Sequence, residues 1–136
     1  MRTRLAVFVA GLGLLLSAGP ALAHHAFAAE YDANKLIKLT GAVTKVEWSN
    51  PHTWFYIDVK DDAGKVTNWG FEMGSPNGLM RQGWTRNSIK PGDEVTVEGS
   101  SSKDGSNNVN VKIATLANTG QRLFGASSQP GETPVR

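Results

Sequence analysis

Residues 36–59 read LIKLTGAVTKVEWSNPHTWFYIDV. Ile37, Leu39, Val43 and Val46, with two threonines among them, favour extended backbone. The alternation breaks near Gly41, as it does at a bend or a bulge. The run from Leu36 to Trp48 is long for one strand, which suits a first strand coiled around a barrel. Ser49, Asn50 and Pro51 then turn the chain, because proline has no N–H to give to a ladder. A second strand follows over His52–Val59. Period-two alternation puts Phe55, Ile57 and Val59 on a core face and His52, Trp54, Tyr56 and Asp58 on the other. That second face is both aromatic and polar, which marks it as a binding surface.

Downstream the punctuation is regular. Asp61–Lys65, DDAGK, is a hairpin turn, and the strand Val66–Met73 after it completes an antiparallel meander. Ser75 is placed to cap a helix and Pro76 fits its first turn. Leu79, Met80 and Trp84 lie at helical spacing, and Met73 and Met80 read as core filling. Lys90–Asp93, KPGD, turns into a strand with Val95 and Val97. Gly99–Asn108 reads as a polar hairpin loop, and Val109, Val111 and Ile113 alternate on a last strand. The order of three strands, a helix and two strands predicts an all-β fold with one short helix, a small five-stranded OB-like antiparallel barrel. Closure of such a barrel removes the exposed strand edges of a chain without disulfides.

Upstream, Arg2 and Arg4 precede LAVFVAGLGLLLS, and Ala21-Leu22-Ala23 is a small-x-small cleavage site behind Pro20. These features define a signal peptide over 1–23, too short in its apolar core for a comfortable bilayer span. The expected organisation is a cleaved signal peptide (1–23), a mobile leader (24–35) unless His24 or Phe27 docks on the body, the barrel domain (36–125) and a disordered tail (126–136). The destination is periplasmic or secreted, with no stable membrane span after processing. Processing leaves 113 residues, with 12 basic residues against 12 acidic ones, and the chain has no cysteine. The charge balance argues against a nucleic-acid partner. The absence of cysteine removes disulfide staples, a lipidated cysteine and a cysteine nucleophile.

Three histidines carry the candidate chemistry. Cleavage after Ala23 would make His24 the N-terminus, so that one residue offers an amine and an imidazole. A terminal amine has a pKa of about 8, and copper displaces its proton far more readily than a lysine's. Copper also stands at the top of the divalent affinity order. His24, His25 and His52 are therefore a candidate metal set, a histidine brace for copper in which His52 supplies a third nitrogen. The competing reading makes the histidine pair a polar leader and His52 a strand-start residue, with no cofactor. Trp48, His52, Trp54 and Tyr56 are the candidate ligand-binding residues. Ser75 in MGSPNG reads as a cap and not a nucleophile, and Glu47 and Glu72 are carboxylates without an assignable separation. An enzyme acting on envelope material would need a pocket with paired carboxylates, or a histidine beside a carboxylate.

The leader ending AHHAF, the E-W-x-N-P-H-x-W run (Glu47, Trp48, Asn50, Pro51, His52, Trp54), Ser75-Pro76-Asn77-Gly78, Gly83-Trp84 and Lys90–Asp93 span nearly the whole processed chain. With these motifs the chain resembles a family of small exported bacterial proteins classed as a domain of unknown function. The resemblance implies no activity, cofactor or partner, and it directs attention to the end of the barrel near His52. The expectation is an exported, non-catalytic binding or structural module, whose partner is a small molecule, a glycan, a metal or an envelope protein.

Overall fold

The computed structural model describes residues 26–127. The strands among them are β1 (Tyr31–Glu47), β2 (Trp54–Lys60), β3 (Val66–Glu72), β4 (Glu94–Ser102), β5 (Asn108–Leu116) and β6 (Arg122–Phe124), with one helix, α1 (Pro76–Arg81), between β3 and β4. A helical turn over 26–30 precedes β1. The sheet order is β3-β2-β1-β4-β5-β6.

The long first strand is present, and it serves two neighbours. Its first part pairs with β4, from Tyr31 opposite Ser102 to Ala42 opposite Glu94. Its second part pairs with β2, from Ala42 opposite Asp58 to Glu47 opposite Trp54. The register slips at Thr44, since Val43 faces Ile57 while Lys45 faces Tyr56. An extra residue of this kind bends a strand and deepens its twist. It falls three positions beyond Gly41, where the alternation lapses. Such a bend is what allows one strand to serve two partners.

The expectation of a five-stranded antiparallel barrel is corrected. A sixth strand is present, and the meeting of β3 with β5 is parallel and only three pairs long: Gly70 with Asn108, Phe71 with Val109 and Glu72 with Asn110. Further along β5, the same edge is taken by other segments. Gly125 donates its N–H to the Lys112 carbonyl at 3.0 Å, and β6 pairs antiparallel with Ile113–Thr115. The result is a coiled six-stranded sheet without a continuous antiparallel seam. Arg122–Phe124 escaped the sequence reading because three residues carry too little alternation to stand out.

The core lies inside the coil. Phe55 and Phe71 stack with ring centroids 5.1 Å apart, and Ile57, Val95, Val97, Val109 and Val111 surround them, all buried. Each such side chain contributes about 1.5–3 kcal/mol relative to exposure. The helix plugs one side of this core. Ser75 Oγ accepts from the Gly78 N–H at 3.2 Å, Pro76 begins the first turn, and Leu79 is buried. Trp84 is buried behind it, with Nε1 donating to the Phe124 carbonyl at 2.8 Å. Met73 fills the core as expected, whereas Met80 is 54 % exposed. Its position on a helix of one and a half turns points away from the sheet.

Two further boundaries differ from expectation. β4 continues through Ser100 and Ser101, both buried, so the loop read over Gly99–Asn108 shrinks to residues 103–107. Small hydroxyl residues carry no apolar alternation, which hid the strand. Residues 31–35, placed in the leader, belong to β1. The signal segment 1–23, His24, His25 and residues 128–136 lie outside the described residues.

Candidate functional site

The helical turn over 26–30 is fastened to the β4–β5 turn. Lys103 donates its backbone N–H to the Glu30 carbonyl at 2.9 Å and its Nζ to the Ala28 carbonyl at 2.6 Å. Phe27 is buried and stacks on Tyr31, with centroids 5.9 Å apart. This docking carries Tyr31 over the end of β3. There its hydroxyl donates to Glu72 Oε2 at 2.5 Å.

Glu72 is 6 % exposed, and its other oxygen, Oε1, is in contact with Nδ1 of His52. His52 stands just before β2, after the cis Asn50–Pro51 peptide. Hydrogen bonds from Thr53 N to the Gly74 carbonyl (3.0 Å) and from Met73 N to the Thr53 carbonyl (2.9 Å) set it opposite the end of β3. An ionised carboxylate only accepts, so the contact requires a proton on Nδ1 of His52. That leaves Nε2 as the variable position of the ring, on a side chain that is 49 % exposed.

These three residues line a cavity of about 340 Å³. Its other walls come from Ala26, Phe27 and Glu30 on one side and from Gly74, Ser75, Asn110, Ala126 and Ser127 on the other. Gly74 makes the second wall possible. A Cβ there would lie 2.0 Å from the Ala126 carbonyl oxygen, so only glycine lets that segment close against the end of β3. The Gly74 N–H donates to the Gly125 carbonyl at 2.7 Å across the same approach.

Electrostatics fix the proton on Tyr31. Burial first, and then the hydrogen bond to Glu72, push the phenol far above its ordinary pKa. Tyr31 is therefore a permanent donor to the carboxylate. Chemically, the arrangement is a buried carboxylate that holds a donor on one oxygen and orients an imidazole with the other. Such an imidazole can accept a hydrogen bond, take a proton or ligate a metal through Nε2. The histidine-with-carboxylate pocket required by the enzyme reading is thus present. Ser75, the hydroxyl nearest to that reading in the sequence, is engaged in capping α1.

Two of the residues expected to bind ligand, His52 and Trp54, line adjoining concavities that share Glu30 and Tyr31. His52 lines the cavity, whereas Trp54 lines a neighbouring groove of about 440 Å³ with Tyr31, Lys103, Asp104 and Asn108. Tyr56 stacks on Trp54 with centroids 6.4 Å apart. It donates to Glu47 Oε2 at 3.1 Å, and Lys45 Nζ lies 5.5 Å from its ring centroid. Lys45 and Tyr56 hold the Glu47 carboxyl below its ordinary range. Glu47 and Glu72 do not face each other, since each is paired with Trp54 from opposite sides of β2. Trp48 packs against the core cluster. Of the metal set, His24 and His25 lie outside the described residues. Among the described residues no group of three His, Cys, Asp or Glu side chains gathers as a metal site.

Tyr31 and Glu72 were missed as site residues. Glu72 had a signal, because it shares the polar face of β3 with Asn68 and Gly70. Tyr31 had none, since it fell in a segment read as a leader.

A protein-family model described as a family of unknown function (DUF6152) matches residues 12–110, and the chain belongs to that family. No curated protein matches it in sequence. Among solved structures it is similar to the mitochondrial single-stranded DNA binding protein Rim1 from S. cerevisiae, at 10 % identity and a TM-score of 0.48, over 61 % of this chain and 93 % of that one. It is also similar to the protein TiaS in its complex with tRNA and ATP, at 22 % identity and a TM-score of 0.42, over 60 % of this chain and 18 % of that one. The expectation that excluded a nucleic-acid partner is withdrawn, because it rested on export and charge balance alone. Balanced net charge does not forbid local basic or stacking surfaces. Likenesses at this level equally assign no such partner to this chain. No helix among the described residues is long and apolar enough to cross a membrane.

Proposed function

We propose that this chain is an exported binding module, cleaved after Ala23, whose ligand sits in the cavity around His52, Glu72 and Tyr31. One observation carries the reading: a carboxylate that is 6 % exposed forms part of the wall of an open cavity while holding a phenol and an imidazole. Burying a carboxylate is costly unless it is well partnered, and a core valine or leucine would serve stability at least as well. The polar arrangement is therefore attributed to ligand recognition. No catalytic step is assigned, and the module is read as periplasmic or secreted on its signal segment.

A second surface is favoured by Gly70. Its missing side chain leaves room for the rings of Trp54 and Tyr56, which a Cβ would approach at 3.5 Å and 3.3 Å. That stacked pair is the alternative site, for a planar ligand or a sugar face.

The test is a backbone amide NMR titration of the processed protein with imidazole, acetate and methyl glucoside. The cavity reading expects shifts centred on Tyr31, His52, Glu72, Gly74 and Asn110 with at least one of the polar probes. Shifts confined to Trp54, Tyr56 and Gly70 would move the site to the aromatic face, and no shifts anywhere would remove the binding reading.

A further inference from the structure

Deepening the cavity reading, on which it rests, we infer that the ligand is an oligosaccharide lying across both concavities, with one pyranose ring on Trp54 in the groove and the next against His52 in the cavity.

The cavity and the groove adjoin, because Glu30 and Tyr31 line both. Their volumes, about 340 and 440 Å³, each suit a small-molecule site. A ligand longer than one ring can therefore occupy both at once.

The groove has an aromatic wall. Trp54 is half-buried there and stacks on Tyr56. A Cβ at Gly70 would lie 3.5 Å from the Trp54 ring and 2.6 Å from Asn108 Oδ1, and both of those side chains line the groove. The missing side chain of Gly70 thus leaves a hollow between an aromatic ring and an amide oxygen. A pyranose is divided in the same way. Its C–H face packs on an aromatic ring, and the hydroxyls around its rim require hydrogen-bond partners.

The polar groups on offer are mainly acceptors. The Glu30 carboxylate, shared by the two concavities, only accepts. Asn108 gives its amide nitrogen to Ser106 Oγ at 3.2 Å, which leaves Oδ1 toward the hollow. His52 holds a proton on Nδ1 against Glu72, so Nε2 of the neutral ring accepts. Lys103, the cation of the groove, has its ammonium on the Ala28 carbonyl at 2.6 Å. Acceptors spread along both concavities call for a ligand with several separated donors. A row of sugar hydroxyls supplies them, whereas a single ammonium group answers at one place.

The experiment is an NMR titration of the processed protein, read at the backbone amides and the tryptophan indoles, with cellobiose and with N,N′-diacetylchitobiose. Methyl glucoside serves as the one-ring reference, and spermidine and octathymidylate as ligands of other classes. The expected result is that at least one disaccharide shifts the Trp54 indole and Asn108 together with Tyr31 and His52. It should bind at least about 10-fold more tightly than methyl glucoside, because two linked rings engage two adjoining subsites. Trp54→Ala should weaken the disaccharide about 10-fold, and Trp54→Phe should restore most of that loss. His52→Ala should bring the disaccharide down to the affinity of methyl glucoside while the Trp54 indole still shifts. Circular dichroism of each variant verifies that the sheet is retained.

No shift with either disaccharide, shifts confined to one concavity, or an unchanged affinity in Trp54→Ala would overturn the inference. Tighter binding of spermidine or octathymidylate would overturn it in favour of a polyamine or a nucleic acid. Should imidazole or acetate still shift the cavity amides in any of these cases, the binding module would stand with a different ligand. Should no probe shift them, both readings would fall together.

Discussion

The hydroxyl of Tyr31 and the carboxylate of Glu72, 41 residues apart in sequence, meet at 2.5 Å beneath the helical turn that precedes β1. This bond ties the first described segment to the end of β3. Tyr31→Phe keeps the ring and its stacking on Phe27 but leaves a buried carboxylate oxygen without its donor. The expected loss is about 1–3 kcal/mol of stability. Urea denaturation checks it, and a double-mutant cycle with Glu72→Gln should return a coupling between the two sites.

Gly74 and Gly70 should respond differently to the same methyl group. At Gly74 a Cβ meets the Ala126 carbonyl oxygen at 2.0 Å, which is backbone and cannot yield without moving the cavity wall. At Gly70 the tightest neighbour, at 2.6 Å, is the Asn108 Oδ1, the end of a side chain that can rotate. Gly74→Ala should cost about 3 kcal/mol and Gly70→Ala about 1 kcal/mol, within the span of overpacking penalties. Denaturation midpoints rank the two, and equal costs would contradict the assignment of Gly74 to a fixed wall.

Thr53 offers a stabilising change. Its hydroxyl is buried without a hydrogen-bond partner, although its backbone N–H and carbonyl are both used. Thr53→Val keeps the shape and removes the unpaired polar group, so stability should rise by about 1 kcal/mol. A fall in the urea midpoint would mean that the hydroxyl has a partner.

The turn after β4 has a predictable response to acid. Asp104 accepts from the Ser102 hydroxyl at 2.5 Å and from the Ser106 N–H at 2.8 Å. These bonds, led by the one to Ser102, hold its pKa down at about 2 against an ordinary 3.8. A depressed carboxylate stabilises the fold above its unfolded pKa and loses that contribution as pH falls through its folded pKa. The stability difference between the wild type and Asp104→Asn should therefore be constant above about pH 5. It should shrink as pH falls from 3.8 through about 2. A difference that grows in that window would contradict the assignment.

Much of the sheet was legible because its signals are local. The DDAGK turn forms as read, with Asp61 Oδ1 accepting from the Ala63 and Lys65 N–H groups at 3.0 and 2.9 Å. The Ser75 cap and the buried Phe55 and Ile57 follow the same rule, since each depends on residues within a few positions. What was hidden depends on distant partners. Ser100 and Ser101 are strand residues because β5 and the core cover them, and nothing in two serines announces that. Glu72 was visible as a carboxylate on a polar face, but its partners come from β1 and from the approach to β2. His52 was singled out in the sequence, and it lines the cavity. Its contact with Glu72, the residue opposite Trp54, follows the alternation that groups it with Trp54 and Tyr56.

Ala26, Phe27, Glu30 and Tyr31 near one end of the described chain and Ala126 and Ser127 near the other line the same cavity, while the 61–65 turn lies at the far end of the β2–β3 hairpin. On the proposed binding reading, both of these segments therefore belong to the site. On that reading, a purification handle or fluorophore attached close to residue 26 or residue 127 is expected to register as a change in binding. Attachment at Asp62 or Ala63 leaves the site untouched, and immobilising the protein there presents the cavity to solution.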